Sequence, residues 1–320
     1  MKYGKINHTD LTASRVILGT DRFGSAISTE ESFAILDHFL AAGGNILDTA
    51  SVYANWLPGE KSLSEKTIGK WLSARNNRDK VIVSTKGGHF DLDTGAPRLD
   101  FDSVKSDYEN SLLNLKTDYV DIYWLHKDDT ERSPEELIET VNRVTEGGGA
   151  HYLAVSNWSY DRIRAANDHA AKCGLRPFIA SQIQHSIAKV NAVAEGITVL
   201  TEEEYAKYET DNLNVFGFSS QAKGFFAIIA EKGEGALPAA TRAEFYNQTN
   251  LARLDRVKAL AEEKGASVPA IVLATLFADD KVNTFAQIGP QSVAELDMSL
   301  SAVAVTVTAE ERRKLLFGEE

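Results

Sequence analysis

Eight short runs rich in β-branched and aromatic residues, each followed by a longer stretch with apolar residues at helical spacing, constrain the fold of this 320-residue chain more than any other feature. The runs lie at 15–19 (RVILG), 45–48 (NILD), 80–85 (KVIVST), 119–125 (YVDIYWL), 151–155 (HYLAV), 178–182 (FIASQ), 214–218 (NVFGF) and 284–288 (TFAQI). Short apolar runs bounded by turn-forming or polar residues read as buried strands. Helices are expected at 29–42, where Phe33, Leu36 and Leu40 share a face, and at 64–74, 102–115, 134–146 and 159–172. Others are expected at 201–209, 251–264 and 308–316, the last opened by Thr308 and Glu311 in capping-box spacing. Strict alternation makes the strands parallel with right-handed crossovers, and eight such units predict a closed (β/α)8 TIM barrel, a single α/β domain over residues 1–320.

The competing α/β layout is an open, doubly wound sheet. It calls for a G-x-G-x-x-G turn after the first strand, and LGTDRFGSAIS offers only Gly19 and Gly24 at another spacing. No Pro/Gly/Ser-rich linker divides the chain.

Hydrophobic residues at 43% suffice for a large core, and 46 acidic against 34 basic residues give a net charge of -12, which argues against a nucleic-acid partner. The single cysteine, Cys173, allows no internal disulfide and no Cys-built metal site, so no metal is expected. The start, MKYGKINHTDLTASRV, has no apolar signal-like region, and no run approaches the ~18 apolar residues that span a bilayer, so a cytoplasmic protein without a membrane partner is expected.

In such barrels chemistry sits where strands end and βα-loops begin. Those positions carry Asp48 and Tyr53 after the second strand, Lys86 after the third, His126 after the fourth, Ser156 and Asn157 after the fifth, Gln182 at the sixth and Ser219 at the seventh. Taken one at a time, Asp48 also fits a helix N-cap, Lys86 a surface amine, His126 a satisfied half-buried ring and Tyr53 a rim aromatic. Four titratable groups at one end of consecutive strands are what acid/base chemistry requires. A phenol with its pKa near ~10 needs a neighbouring cation to favour the phenolate, and Lys86 can supply one. Asp48 can be the counter-ion of that ammonium, and a neutral His126 can hydrogen-bond a substrate oxygen as Tyr53 exchanges a proton with it.

These residues at these spacings resemble the aldo-keto reductase superfamily, through LGTDRFG, LDTASVY, VSTKGG, YVDIYWLH, LAVSNW, ASQIQHS, VFGFSSQAKGFF and IGPQSVAEL in order along the chain. The resemblance implies a barrel oxidoreductase that interconverts a small-molecule carbonyl and its alcohol with NADP(H) or NAD(H). It places a catalytic tetrad on Asp48, Tyr53, Lys86 and His126, with Tyr53 as the acid. It also implies cofactor contacts at Gly19, Thr20, Asp48, Ser156, Asn157 and Gln182, a stacking ring at Phe218, and a pyrophosphate segment including Ser219, Gln221, Lys223 and Gly224. The adenosine end would lie at Gly289, Gln291, Ser292, Glu295 and Ser299.

Two departures stand out. Relatives that prefer NADPH commonly have Arg or Lys in the stretch matching GPQSVAELDMS, whereas this chain has none, leaving the cofactor preference undecided between NADPH and NADH. The link after Tyr53 is long and carries Trp56; with His89, Phe90, Trp124 and Trp158 it can wall a substrate pocket suited to a sugar, a polyol or another small carbonyl. A catalytically idle, nucleotide-binding subunit similar to potassium-channel beta subunits is the alternative. A metal-dependent hydrolase would need several histidines in ligand spacing, and His126 has no such neighbours in sequence.

Overall fold

The computed structural model describes residues 1–279 and 281–318. Its strands are β1 (Tyr3–Lys5), β2 (Thr12–Ser14), β3 (Val16–Gly19), β4 (Ile46–Asp48), β5 (Ile82–Gly87), β6 (Val120–Leu125), β7 (Ala150–Ser156), β8 (Phe178–Gln184), β9 (Asn214–Phe218) and β10 (Thr284–Ile288). Eight of them close a barrel in the order β10-β3-β4-β5-β6-β7-β8-β9. Every neighbouring pair is parallel, including the closing pair in which Gln287 aligns with Ile17. The expected barrel and its eight strands are therefore present, each within a few residues of its sequence-based bounds.

Side chains alternate along a strand, so one phase of each points into the barrel. Ile17, Ile46, Ile82, Ile122, Trp124, Ala154, Phe216 and Phe285 form the interior cluster. The opposite phase, with Leu18, Leu47, Val83, Tyr123, Leu125, Leu153 and Val155, packs against the surrounding helices. Continuing the inward phase toward the C-terminal ends gives Asp48 two residues after Ile46, Ser84 and Lys86 after Ile82, His126 after Trp124, and Gln287 after Phe285. The interior thus changes from aliphatic to polar along the barrel axis, and the polar end is the mouth.

The other end is closed by the antiparallel pair β1–β2, which sequence reading did not anticipate. Ile6 and Ala13 of this hairpin are fully buried in the interior cluster. Excluding water from a side chain such as Ile6 contributes roughly 1.5–3 kcal/mol.

The helices are α1 (Thr29–Ala41), α2 (Leu63–Arg75), α3 (Phe101–Leu115), α4 (Pro134–Val144), α5 (Tyr160–Cys173), α6 (Glu202–Asp211), α7 (Phe225–Lys232), α8 (Ala239–Phe245), α9 (Gln248–Lys264), α10 (Val268–Phe277), α11 (Val293–Leu300) and α12 (Ala309–Phe317). The capping box of Thr308 and Glu311 forms at the start of α12. Helices α7, α8, α10 and α11 were not expected from the sequence. Among them α10, VPAIVLATLF, is buried on nearly all sides and so lacks the polar stripe that reveals a helix. No described helix is long and apolar enough to cross a membrane.

Candidate active site

The polar end of the interior is organised around Lys86. Its ammonium has three N–H donors, and all three are used: Asp48 Oδ2 at 2.6 Å, the Thr49 carbonyl at 2.8 Å and Tyr53 Oη at 3.0 Å. Asp48 and Lys86 are both fully buried. The second carboxylate oxygen of Asp48 accepts from Ser84 Oγ and from Gln182 Nε2, each at 3.1 Å. A buried ion pair persists when its remaining lone pairs and protons are satisfied in this way. Asp48 lies within β4 and caps no helix.

Tyr53 follows β4 in a run of turns, is half-buried, and has its hydroxyl bonded by Lys86 Nζ at 3.0 Å, with the Gln287 side chain acting on it from the β10 side. With Lys86 donating to the phenolic oxygen, the phenol's own proton is not used in that bond. Burial pushes the Tyr53 phenol well above its ordinary range, and the carboxylates of Asp48 and Asp21 push the same way, while Gln287 opposes them. Lys86, the cation expected beside the phenol, does touch its hydroxyl, while burial and the two carboxylates act against the phenolate, and the phenol keeps its proton at neutral pH. Lys86 is pulled down by burial and held up by Asp48, then by Asp21 and Glu65.

His126 joins the mouth from the end of β6, its ring centroid 5.8 Å from that of Tyr53 and edge-on to it. Burial, followed by the positive charge of Lys86, holds it well below the ordinary imidazole range, so it is neutral. Its Nδ1 is buried with no hydrogen-bond partner among the described residues. The His89 ring lies 4.8 Å from His126 and 4.0 Å from Phe90. Trp56, about half exposed at 52%, lies 6.5 Å from the Tyr53 ring. Trp56, His89 and Phe90 therefore stand around Tyr53 and His126 at the rim.

The two other expected pocket walls do not. Trp124 is fully buried inside the barrel against Phe216, with its indole N–H donating to Ser84 Oγ at 2.6 Å. Trp158 is equally buried, packs on Phe178 and donates to the Lys127 carbonyl. Both are core residues: the inward phase of β6 puts Trp124 one step below the mouth, under Asp48's own support.

The residues expected to hold a cofactor form a belt on the β7–β10 side. Ser156 Oγ donates to the Gln182 carbonyl and accepts from Asn157 Nδ2, both at 3.0 Å. Gln182 Nε2 also reaches Gln287 Oε1 at 3.1 Å, so its amide protons are engaged and its Oε1 is the group left to accept a bond. Gly19 lies so close to this cluster that a Cβ there would stand 2.6 Å from Gln287 Nε2. Thr20 Oγ1 bonds the Asp48 carbonyl at 2.9 Å. Phe218, half-buried, ends β9. Beyond it Ser219, Ala222 and Lys223 take left-handed φ values of 53°, 50° and 51°, followed by Gly224 at 78°. Such strain at non-glycine residues concentrates at ligand clamps, and left-handed turns direct backbone N–H groups toward anions. Lys223 is ion-paired with Glu244, whose other oxygen accepts from Gln184 Nε2. Gly289 and Gln291 are exposed in the loop after β10. Ser292 caps α11, Glu295 Oε2 accepts the Gln291 N–H at 2.8 Å, and Ser299 Oγ donates to Gln221 Oε1 at 3.2 Å, tying α11 to the left-handed segment.

Two residues at the mouth escaped sequence reading. Gln287 interrupts the apolar strand TFAQI, and that lone amide was the available signal. Asp21 lies in LGTDRFG, from which only Gly19 and Thr20 were taken as site residues. Among the described residues no group of three or more His, Cys, Asp and Glu side chains is arranged to hold a metal ion.

A closed parallel barrel gathers a phenol, a buried lysine–aspartate pair and a neutral imidazole at its mouth. The family model described as "Aldo/keto reductase family" matches residues 15–315, and the chain belongs to that family. It is an NAD(P)H-dependent oxidoreductase acting on a small-molecule substrate. The chain is 27% identical to "Uncharacterized oxidoreductase YrpG" of Bacillus subtilis over 98% of its own length and 95% of that protein's. It is 27% identical to "Putative aryl-alcohol dehydrogenase AAD14" of Saccharomyces cerevisiae, covering 94% of this chain and 82% of the relative. With "Aryl-alcohol dehydrogenase [NADP(+)]" of Phanerodontia chrysosporium the identity is 28%, covering 89% and 75%.

Proposed function

We propose that residues 1–320 act as one catalytic domain that interconverts an aldehyde or ketone, of the sugar, polyol or small-carbonyl class, with its alcohol, using Tyr53 as general acid and base. The observation that carries this reading is the hydrogen bond from Lys86 Nζ, itself held by Asp48, to Tyr53 Oη. In the reducing direction Tyr53 gives its proton to the carbonyl oxygen, and the phenolate so formed sits 3.0 Å from the Lys86 ammonium. Asp48 holds that ammonium charged and in place. His126, kept neutral by burial and Lys86, donates a hydrogen bond that orients the carbonyl oxygen. In the oxidising direction the same phenolate takes the alcohol proton. The bound cofactor supplies or accepts the hydride.

Gln182 Oε1 is suited to accept from the carboxamide of the nicotinamide, with Ser156 and Asn157 beside it and Asp48 beneath. Phe218 offers a face for stacking. The left-handed segment Ser219–Gly224, with Gln221 within it, fits a pyrophosphate, and Lys223 adds a cation to that segment when it exchanges Glu244 for the anion. Gly19 and Thr20 border the nicotinamide side. At the adenosine end, Gly289, Gln291, Ser292 and Ser299 provide small or neutral polar contacts. Glu295 already occupies the backbone donor at Gln291, where an anion would otherwise bind. A carboxylate there repels a 2′-phosphate and can accept from a ribose hydroxyl, which favours NADH.

Trp56 and Phe90 at the rim also suit a flat ring, and two of the relatives carry aryl-alcohol names, so aromatic aldehydes belong among the substrates tried. The test follows NADH and NADPH oxidation with glyceraldehyde, aldoses, inosose-type ketones and aryl aldehydes. Turnover of at least one class, with a lower KM for NADH, supports the reading. Nucleotide binding without turnover of any would favour a regulatory, idle member of the same fold, and a strong NADPH preference would remove the cofactor assignment.

A further inference from the structure

We infer that Glu65, on α2 outside the barrel wall, is a positioning residue for the proton transfer: through the hydroxyl of Thr85 it fixes the end of β5 from which Lys86 reaches Tyr53. This rests on the reaction proposed above and assigns a residue that reaction does not use.

Side chains alternate along β5, so Thr85 points outward to the helices where Lys86 points into the mouth. Glu65 stands in the first turn of α2 and is fully buried. Its Oε1 accepts from Thr85 Oγ1 at 2.6 Å, and its Oε2 accepts from Asn114 Nδ2 of α3 at 3.0 Å. Gly69, one turn further along the same face of α2, lets α3 come close enough for the second bond. Beside Glu65, Ser64 Oγ meets Thr49 Oγ1 at 2.8 Å and donates to the Thr20 carbonyl at 2.7 Å. The Thr49 carbonyl is in turn an acceptor of the Lys86 ammonium. The start of α2 therefore holds both strand ends, β4 through Ser64 and β5 through Glu65.

A neutral amide could tie a strand to two helices. Here the tie is a carboxylate with both oxygens on donors, and among the described residues no cation is hydrogen-bonded or ion-paired with it. Burial pushes the Glu65 carboxyl up, and the Thr85 hydroxyl is foremost among the groups opposing burial. Asp107 of α3 pushes it further up and is itself bound by Arg98. A buried charge costs more than a buried amide, so the tie alone does not account for it. The ammonium on which this charge acts is Lys86, which Glu65 helps to hold up after Asp48 and Asp21. Lys86 thus has Asp48 in front of it at 2.6 Å and Glu65 behind the wall. Proton transfer at Tyr53 depends on where that ammonium stands, and a misplacement of about 1 Å can cost on the order of 10²-fold.

The test measures the single-turnover rate of carbonyl reduction, cofactor Kd and Tm in Glu65→Ala, Thr85→Val and their double variant, with Thr85→Ser as the conservative control. The substrate is the aldehyde of the panel above that wild type turns over fastest. Each single variant is expected to slow the chemical step about tenfold at unchanged cofactor Kd, and the double variant by no more than the slower single one. Thr85→Ser, which keeps the hydroxyl, is expected to stay within about twofold of wild type. Should Glu65→Ala fail to fold, the isosteric Glu65→Gln takes its place and is expected to slow the step in the same direction. A chemical step within about twofold of wild type in either single variant, losses that multiply in the double variant, or a Thr85→Ser as slow as Thr85→Val would reduce Glu65 to a structural tie and overturn the inference. Tyr53→Phe, measured alongside, separates the two failures. If it is as fast as wild type the proposed reaction fails, and if it is slow while the Glu65 and Thr85 variants are fast, only this inference fails.

Discussion

Lys86 and Asp48 stand 2.6 Å apart at the ends of adjacent strands β5 and β4, both without exposed surface. Neither charge has water to fall back on, so each depends on the other and on the bonds from Ser84, Gln182, Thr49 and Tyr53.

Removing one partner therefore costs more than removing both. Asp48→Asn, which leaves an uncompensated ammonium, is expected to destabilise the fold by about 3–5 kcal/mol, whereas the double variant Asp48→Leu/Lys86→Met recovers most of that loss. Urea unfolding of the three proteins measures this. Turnover stays abolished in the double variant, because the cation that supports the Tyr53 phenolate is gone.

The proposed preference for NADH rests on the place of Glu295 on the Gln291 N–H. Glu295→Arg removes the carboxylate and offers a planar pair of donors to a 2′-phosphate, so the ratio of NADPH to NADH affinity should rise at least about tenfold. Fluorescence titration with both nucleotides checks it; an unchanged ratio would show that the phosphate lies elsewhere.

His185, buried after β8, is lowered from 6.5 to about 4 by burial, with Asp279 opposing and Arg312 adding to the shift. Between those values the unfolded chain binds a proton that the folded chain refuses, so stability rises with pH through this window and is lost on acidification. The full effect is about 3 kcal/mol at most. His185→Leu should flatten the pH dependence of the urea midpoint between pH 6.5 and 4; an equally steep dependence would assign it to other groups.

Gly69 lies where α2 meets α3, and a Cβ there would stand 2.1 Å from the Asn114 carbonyl oxygen. Gly→Ala inside a helix ordinarily stabilises by up to about 1 kcal/mol. Here the obstacle is backbone, so Gly69→Ala is expected to lower stability by about 1–3 kcal/mol, read as a fall in Tm. A rise in Tm would mean that α2 and α3 separate freely.

The barrel was legible because its parallel strands are buried on both faces and read as continuous apolar runs, and because Asp48, Lys86 and His126 end those runs abruptly. The hairpin β1–β2 escaped since three residues carry too little periodicity, and α10 since a helix buried all round has none. Trp124 and Trp158 looked like pocket walls because indoles near strand ends suit either role; only the strand phase shows Trp124 pointing into the barrel below the mouth. Asp21 and Gln287 are adjacent to the site through barrel closure, which brings β10 beside β3 across more than 260 residues of chain. No local pattern announces such a meeting.

The central claim is that the Tyr53 hydroxyl, held by Lys86, moves the proton. Single-turnover kinetics and cofactor titration of Tyr53→Phe test it most directly. The cofactor Kd is expected to be unchanged, with the chemical step slowed by about 10²- to 10⁴-fold. A chemical step within a fewfold of wild type would contradict it.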